Sequence, residues 1–476
     1  MEYPFFDVPK LGGGFLVAIV AIVHVAIAHF AVGAGIFMAV NEYLARRRGD
    51  ELLLGFLQAN ARMLIVFAFI AGAVTGVGIW VTIGLVSPAA TSALIHLFVW
   101  AWAIEWCFFA VEIVSGYVYY YGWHRLTTRR HLIVGGVYAL SAWMSLFWIN
   151  GIITFMLTPG AWSASNPGTD FWTALFNPTF WPSLALRTIS CLALAGLLAI
   201  FLANLKYSRD DRRALITRAA YFLMPLIAMP PCAWWYFRQL PQLPREMVQG
   251  AAAPMMMFFA FGVVMSVILG GYAYFIMIRR ERRIGLETSI VLLAVAFVAT
   301  GSMEFVREGI RKPYLIYGHL YSNGIFASQD WADRINRDGI LRYATFAYPP
   351  QTNSQEILDN NPVLAGSYVF TAQCRICHET TDGTNAIRPL IRTASREWLR
   401  RTTAELHRVK NFMPPFFGTA QELDAVVEFQ YWLAQGDAYT PEPTIDAELL
   451  TPFQGTIPPP DDVYHALPNS SSAITP

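Results

Sequence analysis

Long apolar runs, separated by short loops, fill the first two thirds of the chain. About 20 apolar residues cross a bilayer as a helix, so the pattern predicts about eight spans, near 13–42, 57–86, 92–121, 132–158, 183–206, 214–237, 252–278 and 286–309. The loops between them sort by charge. One set carries Arg46-Arg47-Arg48, then Arg125, Arg129 and Arg130, then Lys206, Arg209, Arg212, Arg213 and Arg218, then Arg279, Arg280, Arg282 and Arg283. The alternate set, around Ser87-Pro88, 158–182 and 239–254, holds only Arg245. Positive loops stay on the cytoplasmic side, which predicts an N-terminus outside and, with an even number of spans, a C-terminus outside as well. Only Lys10 precedes the first run, which has no small-residue cleavage site and outlasts a signal sequence, so it reads as a retained helix.

Past the last span the pattern changes. Residues 1–315 form the membrane domain and 316–357 are mixed and polar, a linker or collar on the outer surface. Residues 358–436 read as a compact small domain, with packing helices expected at Val369 to Ala372 and over Glu422 to Trp432. Residues 437–476, with Pro441, Pro443, Pro452 and Pro458-Pro459-Pro460, cannot build a core and read as an extended arm able to wrap over a partner subunit. The fold class is therefore an all-α polytopic membrane protein with a small α-helical outer domain.

Composition agrees with the pattern. Of 476 residues, 55% are hydrophobic and only 14% charged, which fits a polytopic membrane protein. A net charge of +1 gives no reason to invoke nucleic acid, and no nucleic-acid motif is present.

The strongest short signal is Cys374-Arg375-Ile376-Cys377-His378. Two thiols at this spacing followed by histidine suit one covalent haem c, each sulfur adding to a vinyl group while the His378 imidazole takes one face of the iron. No second cysteine pair is available to complete a zinc site, and Cys107, Cys191 and Cys232 lie in apolar runs as small buried hydrophobes. Such a haem is attached outside the bacterial cytoplasmic membrane, on the side where the loop charges put the C-terminus. Met413-Pro414-Pro415 resembles the methionine loop of small class I cytochromes c, so Met413 is the expected second axial ligand and His407 the alternative.

Ionisable residues inside apolar helices face cavities or cofactors. His24 reads as a ligand to a membrane haem; His29, five residues on, points elsewhere and reads with His96 as a satisfied polar group. Glu105 and Glu112, seven apart, share a face and suggest a proton path or a haem-facing acid. His124 and His131 sit beside loop arginines and read as solvated. At the end of the last span, Glu304 and Glu308 alternate with Arg307 and Arg311. That cluster either holds haem propionates and offers an iron an acidic ligand, or anchors the helix end as an ion-pair network.

Several ordered segments resemble subunit I of the cytochrome bd quinol oxidases: His24 with Gly33, Ala73-Val74-Thr75-Gly76, Ala103-Ile104-Glu105, Glu112, Gly122-Trp123-His124-Arg125-Leu126, and Glu308-Gly309-Ile310-Arg311-Lys312-Pro313-Tyr314. The resemblance implies two non-covalent haems of b or d type. His24 would ligate a high-spin haem, Glu308 would be the acid at its neighbour, Arg311 a propionate partner, and Glu105 and Glu112 the acids of the haem pocket and proton route. It also implies a second membrane subunit. Two departures accompany it. Arg187-Thr188 stands where the family places the histidine of its low-spin haem, and guanidinium does not ligate iron. The loop at Gln239 to Pro254 is short, without the family's quinol-site lysine and glutamate, and Met255 to Met257 read as packing.

These readings predict a multi-pass protein of the bacterial cytoplasmic membrane with its cytochrome c domain on the periplasmic face. It would exchange electrons with a periplasmic cytochrome c or another redox subunit. It is either a cytochrome c-linked reductase of oxygen or a similar small oxidant, or a non-catalytic electron-conducting subunit of a larger complex.

Overall fold

The structure, a computed structural model, describes residues 6, 8–162, 171–280, 284–350 and 352–436, with the side chains at 64–68 and 209 also outside the description. The arm at 437–476 and the loop residues Arg282 and Arg283 lie outside the described residues.

Among the described residues, eight helices are long and apolar enough to cross a membrane: Gly13–Arg48, Phe69–Val86, Pro88–Gly122, Thr128–Phe155, Phe180–Lys206, Asp210–Arg238, Ala253–Arg279 and Leu286–Gly309. In chain order the membrane elements are α1 (Gly13–Arg48), α2 (Glu51–Ile65), α3 (Gly72–Val86), α4 (Pro88–Gly122), α5 (Thr128–Phe155), the short α6 (Phe171–Leu175), α7 (Phe180–Lys206), α8 (Arg209–Ala220), α9 (Met229–Arg238), the short α10 (Gln242–Glu246), α11 (Ala253–Tyr272) and α12 (Leu286–Gly309). A π-helical stretch, Val66–Ala71, joins α2 to α3, and a 3-10 stretch with Pro225 inside it, Tyr221–Ala228, joins α8 to α9. Proline lacks the donor an α-helix needs, which accounts for the change of winding there. The segment read as a loop at 239–254 is largely helical, through α10 and a π turn at Met247–Ala251. Leu243, Pro244, Met247 and Val248 recur at helical spacing and form its buried face, a pattern too short to stand out in the sequence.

The chain divides into two compact units. One comprises residues 20–79 and 96–310. Its largest core gathers Phe30, Phe37, Leu57, Leu197, Ile200 and Leu223 from α1, α2, α7 and the 3-10 stretch. Gly33 lets α1 and α7 touch: a Cβ there would overlap the Cys191 carbonyl oxygen. Trp100, Val74 and Met257 stay largely exposed on helices of this length and hydropathy, as an apolar solvent around the bundle permits.

The other unit takes residues 1–19, 80–95 and 311–476. After α12 come a two-stranded antiparallel hairpin, β1 (Tyr314–Ile316) with β2 (Leu320–Tyr321), and then α13 (Gln329–Asp338), α14 (Ser354–Asn360), α15 (Pro362–Gln373), α16 (Ile387–Ile391), α17 (Arg396–Ala404), α18 (Leu406–Val409) and α19 (Ala420–Gln435). Capping is legible in the sequence: Ser328, Asn353, Asn361, Ser395 and Thr419 each accept a backbone N–H at a helix start, and Thr419 with Glu422 closes a capping box. The stretch at 316–357 shares one core with α15 and α19: Tyr321, Ile325, Ile340 and Leu341 are buried with Val369, Phe370, Val426 and Phe429. α15 and α19 cross at Gly366, where a Cβ would overlap the Ala425 carbonyl.

Candidate functional site

In the membrane unit, His24 on α1 faces Thr75 on α3, Nδ1 to Oγ1 at 3.0 Å. The single Thr75 hydroxyl proton goes to the Ala71 carbonyl at 2.6 Å, so the hydroxyl accepts from His24 and Nδ1 carries the imidazole proton. Nε2 keeps its lone pair, the state an iron ligand requires. Gly76 gives the ring room, since a Cβ there would lie 3.3 Å from His24 Cε1. On α4, Glu112 is buried and Glu105 half-buried, while His96 is exposed.

A second polar centre lies between α1, α7 and α12. Arg187 Nη2 is 2.9 Å from Glu304, whose other oxygen accepts from Arg307 Nε at 2.8 Å. Arg187 Nη1 donates to His29 Nε2 at 3.2 Å, which puts that ring's proton on Nδ1. These groups line a cavity of about 1070 Å³ of empty space, counted with its open side, whose walls include Leu194, Met229 and Met303. Arg187 and Glu304 do not suit a haem iron, because Arg187 is a permanent cation held by Glu304 and Glu304 is shared between two guanidiniums, and the His29 Nε2 lone pair is taken by Arg187. The Glu304–Arg307 contact joins the two ridges read at the end of the last span. Sequence spacing foresees that pair, but nothing local signals Arg187 as its third member. Glu308 is half-buried and Arg311 buried. Met255 is buried against Gly309, whereas Met256 and Met257 are exposed.

His131, read as solvated, is fully buried. Its Nδ1 lies 2.8 Å from Glu42 and its Nε2 2.9 Å from the Tyr119 carbonyl. The correction has a simple cause: its neighbours Arg129 and Arg130 point away while position 131 turns inward on α5, and Glu42 is 89 residues distant. His124 stays near the surface, against Gln58.

In the other unit, α15 ends at Gln373 and Cys374–Cys377 form the turn after it, with Cys377 N and His378 N donating to the Cys374 carbonyl at 3.0 and 2.9 Å. Burial, with the neighbouring Cys377 thiol, pushes the Cys374 thiol up to about 12. His378 Nδ1 lies 2.9 Å from the Asn385 carbonyl. A carbonyl only accepts, so Nδ1 carries a proton and Nε2 is the nitrogen left for an iron. Asn385 is left-handed, with φ of 53°, in a loop tied to residues before α1: Thr384 N donates to the Lys10 carbonyl at 2.8 Å.

The Met413 loop is pinned to this motif. Gln373 donates to the Phe417 carbonyl at 2.6 Å and accepts from Phe417 N at 3.0 Å, so the residue directly before Cys374 fixes the end of the Met413-Pro414-Pro415 segment. Gln373 carries no sequence signal, because its partner is 44 residues away. Met413 and His407 are both half-buried.

Eight apolar spans and buried polar centres within the bundle define a polytopic helical membrane protein. Residues 15–234 match the family model described as cytochrome bd terminal oxidase subunit I. Eleven chains among solved structures match, including "The structure of bd oxidase from Geobacillus thermodenitrificans", which is 14% identical, covers 70% of this chain and 94% of its own length, and has a TM-score of 0.56. No curated protein matches. The fold is thus that of a bd-oxidase-like membrane protein. The matched segment contains His24, Glu105, Glu112 and Arg187; it ends before Glu308 and before the Cys374–His378 motif.

Proposed function

We propose that the chain is a respiratory electron-transfer subunit that links a periplasmic cytochrome c to haems in the membrane, and that it acts as a cytochrome c-linked reductase of oxygen or a similar small oxidant. The observation that carries this reading is the geometry at His378, where the Asn385 carbonyl holds the imidazole with Nε2 free beside two cysteines at haem-attachment spacing. Haem at these positions supplies one-electron redox chemistry.

The residues divide the work. Cys374 and Cys377 would hold one haem c covalently and His378 and Met413 would be its iron ligands; a thioether ligand would raise its potential relative to two imidazoles. Gln373 keeps the methionine loop in register. In the bundle, His24 offers Nε2 to one b- or d-type haem and Glu308 an acidic ligand to a second. Arg311 is placed by sequence to neutralise propionates; Arg307 is already committed to Glu304. Glu105 and Glu112 form the proton route. No electron step runs through the Arg187 centre, whose ligand set does not suit haem. A second membrane subunit and a periplasmic redox partner complete the complex in the cytoplasmic membrane, with the cytochrome c domain outside.

The deciding experiment is a reduced-plus-CO minus reduced optical spectrum of the purified complex, with a pyridine haemochrome to type the haems. A CO-reactive b or d haem together with haem c supports the reductase. Haem c with only CO-inert b haem overturns catalysis and leaves an electron-conducting subunit. Absence of haem c overturns the reading altogether.

A further inference from the structure

The buried cluster around Glu42 is used by none of these steps. Glu42 lies one helical turn before Arg46, at the end of α1 that carries Arg46-Arg47-Arg48, and it is fully buried. Its carboxylate takes three partners from three helices: Arg46 Nε of α1 at 2.7 Å, the Tyr119 hydroxyl of α4 at 2.8 Å and His131 Nδ1 of α5 at 2.8 Å. The Tyr119 carbonyl accepts from His131 Nε2, so that nitrogen always holds a proton. A second proton must lie between Nδ1 and the Glu42 oxygen, because two bare acceptors at 2.8 Å repel. Arg46 and Tyr119 both donate to the same carboxylate. The pair therefore stores one proton with two resting places, on Nδ1 or on the carboxyl.

A route leads away from it. The Tyr119 ring stacks on Tyr138 of α5, centroids 6.5 Å apart at 29°. The Tyr138 hydroxyl is buried and has no hydrogen-bond partner among the described residues. Its ring packs on Gly116 of α4, where a Cβ would lie 3.4 Å away, and Gly116 is one turn from Glu112 on the same helix. Arg46 is partly exposed and marks the solvent end.

We propose that Glu42, His131 and Tyr119 form a proton-uptake station that draws protons from the arginine-bearing side of the membrane and hands them through Tyr138 to Glu112. Protons alone move: one leaves water, one leaves the Glu42–His131 pair, and Glu112 receives one. This inference rests on the proposed reductase.

The test uses the whole complex in proteoliposomes, reduced from outside by ascorbate with a soluble c-type cytochrome, with a pH dye trapped in the lumen and an ionophore collapsing the membrane potential. Lumen proton uptake is expected from the wild type. Glu42→Gln and His131→Gln should slow it about a hundredfold, the lower end for a lost acid–base group, while Glu42→Asp restores much of it. Tyr138→Phe separates a relay from a structural clamp. That hydroxyl bonds to no described group, so its removal leaves folding and haem content intact yet should slow uptake; it also decides the matter if the Glu42 variants do not assemble. Wild-type uptake that is unchanged in Tyr138→Phe and in every assembled Glu42 or His131 variant overturns this inference alone. A wild type that oxidises the cytochrome without lumen uptake also overturns this inference alone; a wild type that does not oxidise the cytochrome overturns it together with the reductase.

Discussion

Arg187 and Glu304 form an ion pair of 2.9 Å with each side chain about nine-tenths buried. Breaking a buried pair strands a charge and costs about 3–5 kcal/mol. The two members are not equivalent here, because Glu304 also holds Arg307. Arg187→Met leaves Glu304 neutralised and should fall near the lower end of that range; Glu304→Met strands two guanidiniums and should fall near the upper. Thermal unfolding of the purified complex measures the order, and a Glu304 variant no worse than the Arg187 variant would mean that the centre does not work as a shared carboxylate.

At His24 the prediction is spectroscopic. His24→Ala should abolish one membrane-haem signal and leave the covalent haem. Thr75→Val removes the acceptor that fixes the imidazole tautomer, so it should keep the signal but loosen the haem about 10- to 100-fold, as loss of a ligand's supporting hydrogen bond does. Haem titration into depleted protein checks this. If Thr75→Val binds as tightly as the wild type, the hydrogen bond has no part in ligation.

The spans, the caps and the chemistry of adjacent residues are legible in the sequence because each is local. Apolar runs mark the membrane helices from α1 to α12, Thr419 and Glu422 announce a helix start three residues apart, and Cys374 to His378 lie in a single turn. What stays hidden joins distant positions. Arg187 reads only as an absence until Glu304, on another helix, supplies its partner. The charge of its sequence neighbours makes His131 look solvated, although helical geometry turns it inward to Glu42. The backbone around 239–254 lacks a long apolar run and so reads as a loop, yet Leu243, Pro244, Met247 and Val248 make one short buried helical face there.

Gln373 gives a test of the outer site that leaves every expected haem ligand in place. Its amide makes two hydrogen bonds to the Phe417 backbone, and Gln373→Leu forfeits both, about 1–3 kcal/mol. Covalent haem should still attach, since Cys374, Cys377 and His378 are untouched, but the Met413 loop should detach more readily. Imidazole binding to the ferric haem c, in competition with the thioether, should tighten in the variant. Cys377→Ala is the companion: it should remove normal c-type attachment while sparing the membrane haems, and a normal c-type spectrum would sink the assignment.

Glu422 links the outer fold to pH. Its buried carboxylate accepts from the backbone N–H groups of Ile340, Leu341 and Thr419 at 2.8, 2.9 and 3.0 Å, closing the 316–357 stretch onto α19. Burial raises its pKa despite these bonds, and burial likewise raises Asp424 against the pull of Arg400. The folded state then holds protons that the unfolded chain has released, so stability is greatest below the ordinary carboxylate range and falls as pH climbs through the raised values. Glu422→Gln should cost about 1–3 kcal/mol, because one amide oxygen replaces two carboxylate oxygens against three donors. It should also flatten the pH slope, leaving the share due to Asp424. Urea unfolding followed at the haem c absorbance from acid to neutral pH reads both effects. A slope unchanged by Glu422→Gln would assign the pH dependence to other groups and leave Glu422 as a pH-independent clasp.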